Sequence, residues 1–156
     1  MNIIVGIDEY GISNAPEDFI KTFALSSCVA VTFYNPFIHL AAMIHIALPT
    51  PTDLEEAKRR PGYYATLGVP ILIHELCCRY GSQRMDLQVK LFGGAASLRT
   101  DDYFKIGQRN IKTVRETLSE MDLKIVDAHI GESISRSITM CVLSGEIEIV
   151  TLPLNY

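Results

Sequence analysis

A cysteine, Cys28, follows two serines in the segment Leu25-Ser26-Ser27-Cys28-Val29-Ala30-Val31. Small polar residues ahead of a cysteine, between apolar flanks, describe a turn that presents a thiol. A thiolate is a good nucleophile once a base or a dipole lowers its pKa. The commoner fate of a free cysteine is burial as a small hydrophobe, and the pattern by itself leaves both readings open. A histidine, His45, lies in Ala41-Ala42-Met43-Ile44-His45-Ile46-Ala47-Leu48. An imidazole inside an apolar strand is costly unless its nitrogens have partners. It is either a satisfied core histidine or the neutral base that a cysteine nucleophile needs. Thr22, six residues before Cys28, offers a hydroxyl to orient that ring. On neighbouring antiparallel strands, Cys28 and His45 come within reach of each other, and the chemistry is then nucleophilic catalysis by a thiol.

The elements that must position these residues follow from the apolar pattern. Residues 2–8 read as a short strand and 11–18, rich in Gly, Asn, Pro and acids, as a loop. From Thr22 to Tyr34 the chain reads as strand, sharp turn at Ser26-Ser27-Cys28, and strand. Asn35-Pro36 is a turn, and Ile38 to Leu48 a second buried strand closed by Pro49. Residues 49–62 read as an exposed loop with a helical turn near Asp53–Arg59. Val69, Leu72, Ile73, Leu76 and Cys77 share one helical face within 62–80, with Pro70 expected to start or kink that helix and Gly81 to stop it. Leu87 to Phe92 alternates as a half-buried strand. Ile106 to Met121 carries Ile111, Val114, Leu118 and Met121 on one helical face. Three closing strands are expected at 123–128, 137–143 and 146–152, with a hairpin at Ser144-Gly145. Many strands and two main helices, without regular alternation, predict an α+β fold of mixed and antiparallel sheets.

Composition narrows the classes of function. The chain has 156 residues, 48% hydrophobic and 21% charged, so one globular domain over 1–156 is expected. Its 18 acidic and 14 basic side chains give a net charge of −4, and the one basic cluster is Lys58-Arg59-Arg60. That is not the basic stripe of a nucleic-acid binder. The longest apolar run, Leu40 to Leu48, falls well short of the ~20 residues of a spanning helix. Met1-Asn2-Ile3-Ile4 does not read as a signal peptide. Cys28, Cys77, Cys78 and Cys141 form no CxxC pair, so reduced thiols and a cytoplasmic location are expected.

Several segments, in order, resemble the CheD family of chemoreceptor glutamine deamidases. They are Thr22, the Leu25–Val31 segment, and His45-Ile46-Ala47-Leu48-Pro49, with sixteen residues between Cys28 and His45. Lys90-Leu91-Phe92-Gly93-Gly94-Ala95, Ile106-Gly107-Gln108-Arg109-Asn110 and Arg136 continue the likeness. The resemblance implies a CheD-like cysteine hydrolase sandwich that converts receptor glutamine side chains to glutamate and ammonia. Cys28 would be the nucleophile, His45 the base and Thr22 the group orienting His45, with no metal or cofactor. The implied partners are the chemoreceptor cytoplasmic region and a CheC-type response-regulator phosphatase.

The chain also departs from the family pattern. Ser26 replaces a glycine, which predicts a strained serine if that position needs a positive φ. Thr66 and the His129-Ile130-Gly131-Glu132 segment lack the family's aspartates, and Gly93-Gly94-Ala95-Ala96-Ser97-Leu98 alters a stretch linked to partner docking. The competing reading is a catalytically weak adaptor that binds the phosphatase or the receptor. Lys58-Arg59-Arg60, most often a solvated loop, is a candidate rim for acidic receptor helices.

Overall fold

The computed structural model describes residues 1–97 and 105–154. Leu98, at the end of the altered docking stretch, lies outside the described residues.

Among the described residues nine strands form two sheets. Strands β1 (Asn2–Ile4), β3 (Phe19–Leu25), β8 (Ile134–Cys141) and β9 (Ile147–Pro153) make a four-stranded sheet in the order β1-β3-β8-β9. Strands β2 (Tyr10–Ser13), β4 (Val29–Asn35), β5 (Leu40–Ile46), β6 (Gln88–Gly93) and β7 (Ile125–Ile130) make a five-stranded sheet in the order β2-β5-β4-β6-β7. The β1·β3 and β6·β7 pairs are parallel and the others antiparallel, which is the mixed α+β arrangement that the pattern predicts.

The five-stranded sheet is covered on both faces. One face carries Val29, Val31, Phe33, Leu40, Ala42, Ile44 and Ile46 against the helices α2 (Ala65–Cys78) and α3 (Ile106–Glu120). The other carries Ala30, Tyr34, Ala41 and Met43 against Ile20, Leu25, Ile138 and Met140 of the four-stranded sheet. This double cover explains why every residue of β4 and β5 is buried and why their sequences run apolar without alternation. Each large side chain buried here contributes roughly 1.5–3 kcal/mol.

Four local expectations change. Tyr10–Ser13, expected as loop, is an edge strand paired antiparallel with β5. The first strand stops at Ile4, and the chain turns at Asp8, whose φ is 68°. Helix α2 begins at Ala65, so Pro70 lies inside it rather than at its start. From Leu91 onwards β6 is buried on both faces, with Leu91 towards the helices and Phe92 towards the other sheet. The helical turn near Asp53 forms as α1 (Leu54–Arg59), capped by the Asp53 carboxylate on the Glu55 and Glu56 amides. Among the described residues no helix is long and apolar enough to cross a membrane.

Candidate active site

The turn before Cys28 connects the two sheets. Leu25 ends β3 in one sheet and Val29 opens β4 in the other, so Ser26, Ser27 and Cys28 cross an intersheet gap of about 10 Å. Hydrogen bonds from the strand end and from helix α3 hold the crossing. The Ala95 amide donates to Ser26 O (2.7 Å), the Gly94 amide to Cys28 O (2.9 Å), and Asn110 Nδ2 to Ser27 O (2.9 Å). Gly93, at φ 102°, passes so close that a Cβ there would lie 2.3 Å from Cys28 O. The turn, and with it the thiol, sits at the edge of the sandwich and Cys28 is partly exposed.

Thr22 and His45 meet across the sandwich. Thr22 faces inward from β3 and is fully buried; His45 faces inward from β5 and is 3% exposed. Thr22 Oγ1 lies 2.7 Å from His45 Nδ1 and 2.7 Å from the carbonyl oxygen of Val5. A hydroxyl has one proton, and a carbonyl can only accept. Thr22 therefore donates to Val5 O and accepts from Nδ1–H. That fixes the tautomer and leaves the lone pair on Nε2, which is buried with no hydrogen-bond partner.

Cys28 shares the face of His45. In the β4·β5 register Val29 opposes Ile46 and Ala30 opposes His45. One further step sets Cys28 across from Ala47 and on the diagonal to His45, a separation of about 7–8 Å that an imidazole can bridge. Nε2 is not hydrogen-bonded to the thiol. Such bonds often tighten only when substrate is bound.

Burial sets the charge state of the pair. It pushes the Cys28 thiol up and lowers His45 to about 4. Both groups are neutral at pH 7. A stability prediction follows, because the unfolded chain protonates His45 near 6.5 and the folded chain only near 4. Between those values the unfolded state binds more protons. Stability contributed by His45 is therefore complete above about pH 6.5 and is lost as pH falls towards 4, by roughly 3 kcal/mol. Urea unfolding at several pH values should show this slope in the wild type and not in His45→Gln; parallel curves would contradict it.

The comparisons with known proteins agree on one family. The family described as CheD chemotactic sensory transduction matches residues 47–151. The chain belongs to the CheD family. A probable chemoreceptor glutamine deamidase CheD of Syntrophotalea carbinolica is 40% identical over 95% of this chain and 93% of its own length. A protein of the same description from Methanosarcina acetivorans is 34% identical over 96% of this chain and 92% of its own. Among solved structures, a Bacillus licheniformis hypothetical protein, YfiH, superposes with a TM-score of 0.50 at 14% identity. That likeness covers 80% of this chain but only 49% of the YfiH chain, and concerns the fold alone.

Within this CheD-family fold the strain expected at Ser26 is found elsewhere. Ser26 does not have a positive φ; Ala24 does, at 55°. Ala24 sits in a β-bulge. The β3·β8 register goes from Thr22↔Ile138 to Leu25↔Arg136, three residues against two. The bulge turns both Thr22 and Leu25 inward although their spacing is odd, and it aims the chain into the Cys28 turn. A left-handed alanine costs roughly 1–2 kcal/mol, so Ala24→Gly should stabilise the protein by about 1 kcal/mol without loss of activity. A lower urea midpoint than wild type would contradict this.

Other candidates resolve as supporting structure. Lys58, Arg59 and Arg60 pair with Glu55, with Glu56, and with Asp8 and Glu56 respectively, so the expected cationic rim is neutralised. Arg136 is fully buried, donating from Nε to His129 Nδ1 (2.8 Å) and from Nη1 to Gly131 O (3.0 Å). A second Cys–His pair, unnoticed in the sequence, lies on α2, where Cys78 Sγ is 3.6 Å from His74 Nδ1. The signal was their four-residue spacing on one helix. Both residues are exposed, and no buried hydroxyl orients this ring as Thr22 orients His45. Among the described residues no three His, Cys, Asp or Glu side chains are grouped to hold a metal ion.

Proposed function

We propose that this chain is a protein-glutamine deamidase acting on chemoreceptors in chemotaxis, with Cys28 as nucleophile, His45 as base and Thr22 orienting the imidazole. The observation carrying this reading is the Thr22–His45 hydrogen bond across the sandwich, which leaves the Nε2 lone pair on the face of Cys28. Relatives described as probable chemoreceptor glutamine deamidases, matching nearly the whole chain, support the substrate class.

In the first step Cys28 Sγ attacks the glutamine side-chain carbon while its proton passes to His45 Nε2. The carbonyl oxygen becomes an oxyanion, for which backbone N–H groups of the turn are the expected donors; each such donor is worth about 3–4 kcal/mol in comparable sites. The imidazolium, steadied by Thr22 Oγ1 at Nδ1–H, returns the proton to the departing nitrogen. Ammonia leaves and a thioester remains. His45 then takes a proton from water as the water oxygen attacks the thioester carbon. Collapse releases glutamate, and the proton returns to Sγ.

The reading extends to a cytoplasmic location and to a CheC-type phosphatase as a second partner. An adaptor alone would have no use for a buried imidazole with a free lone pair beside a thiol, so the enzymatic reading is favoured. Incubation with a receptor cytoplasmic fragment, followed by peptide mass spectrometry, tests it. A one-dalton gain at a glutamine is expected, and its absence at stoichiometric enzyme would overturn the reading.

A further inference from the structure

The β4·β5 ladder stops one residue short of the site. Its last pair is Val29↔Ile46; the next, Cys28 with Ala47, is not made. Cys28 O accepts from the Gly94 amide, one step beyond the β4·β6 pair Val29↔Gly93. Pairing thus ties Cys28 to the end of β6, while no ladder pair beyond Val29↔Ile46 ties it to the strand that carries His45.

Asn110 occupies that gap. It is the fifth residue of α3 and is fully buried. Its Nδ2 donates one hydrogen bond to Ser27 O (2.9 Å) and another to Ala47 O (3.0 Å). Ser27 immediately precedes Cys28, and Ala47 follows His45 by two residues. One side-chain NH2 thus joins the segment carrying the thiol to the segment carrying the imidazole. Its helix is itself fixed close by. A Cβ on Gly107 would lie 2.3 Å from Ala95 O and 2.6 Å from Gly94 O, so α3 rests directly on the strand end that holds Cys28 O.

We infer that Asn110 is a positioning residue for the deamidation, its side-chain amide bridging the two segments beyond their last ladder pair and setting the spacing between Cys28 and His45. The inference rests on the assignment of those two residues above. Asn110 has no accessible surface, so it does not touch substrate. Its loss acts on the chemical step and not on binding. A misplacement of about 1 Å between reacting groups costs up to ~100-fold in rate.

The test compares Asn110→Asp and Asn110→Leu with wild type and with Cys28→Ala, on a receptor cytoplasmic fragment. Both Asn110 variants are near-isosteric and lack the two donors; Asn110→Leu adds no buried charge and carries the test if Asn110→Asp does not fold. Rates are expressed per folded molecule, with the folded fraction taken from urea unfolding. The expected result is a kcat ~10- to 100-fold below wild type with KM within about twofold. A purely structural role would lower the folded fraction and leave kcat per folded molecule unchanged, and that result overturns the inference. If Cys28→Ala is inactive while the Asn110 variants keep wild-type kcat, this inference alone fails. If Cys28→Ala is active, the nucleophile assignment fails and the inference falls with it.

Discussion

Cys28→Ala should fold as the wild type does and convert no receptor glutamine above background. Within the proposal, no other thiol among the described residues stands beside His45: Cys77 packs against the core on the helical side of the five-stranded sheet. Cys78 lies on the helical layer beside exposed His74, and Cys141 lies on β8 opposite Phe19, away from the inward face that carries His45. Removing the nucleophile of a comparable unit costs about 10⁴-fold or more, leaving only what binding and oxyanion donors supply. The fold is expected to survive because the turn is held through backbone carbonyls of Ser26, Ser27 and Cys28, not through the thiol. Deamidation of a receptor fragment and a urea unfolding curve together check both halves. Wild-type turnover in this variant would remove Cys28 from the mechanism.

His45→Ala should lose about 100- to 10,000-fold in kcat, the usual contribution of a general base. Burial holds the thiol protonated, so attack needs a base to take its proton. Thr22→Ala should be milder, about 10-fold, because the base remains and only its tautomer and orientation are released. It should also destabilise the protein by about 1–3 kcal/mol, since Nδ1–H and Val5 O would both lose a buried partner. The two variants separate on kinetics of the receptor fragment. Equal losses would mean that Thr22 contacts substrate as well as the ring.

Much of this site was legible because its residues break a strong local pattern. A histidine inside β5 and a cysteine after two serines stand out against uninterrupted apolar runs, and those runs exist because β4 and β5 are covered on both faces. Thr22 was named as the hydroxyl orienting His45, but that their contact joins two sheets is not encoded by spacing along the chain. The bulge at Ala24 was illegible for the same reason. Its left-handed backbone follows from the register of β8, and an alanine gives no sign of it. The edge strand β2 was missed because Tyr10-Gly11-Ile12-Ser13 is short, contains glycine and runs into a polar loop. Pro70 misled the start of α2, since tertiary packing of Ala65 and Val69 outweighs one missing helical hydrogen bond. For Lys58 and Arg59 the neutralising acids Glu55 and Glu56 were visible in the sequence; Asp8, the partner of Arg60, comes from more than fifty residues away. Asn110 stood out only as part of the Ile106–Asn110 likeness, and only the structure shows it tied to the segments that carry Cys28 and His45.

The thioester on Cys28 is the central claim, and interception of that thioester tests it most directly. The enzyme is incubated with a receptor cytoplasmic fragment in the presence of hydroxylamine, and the fragment is mapped by mass spectrometry. Attack of the amine on the thioester carbon expels the thiol and leaves a glutamyl hydroxamate, so hydroxamate should appear at the same glutamine that otherwise becomes glutamate, rising with hydroxylamine concentration and absent with Cys28→Ala. Glutamate alone, formed at an undiminished rate across the hydroxylamine series, would mean that water attacks the amide without a covalent intermediate, and would contradict the account.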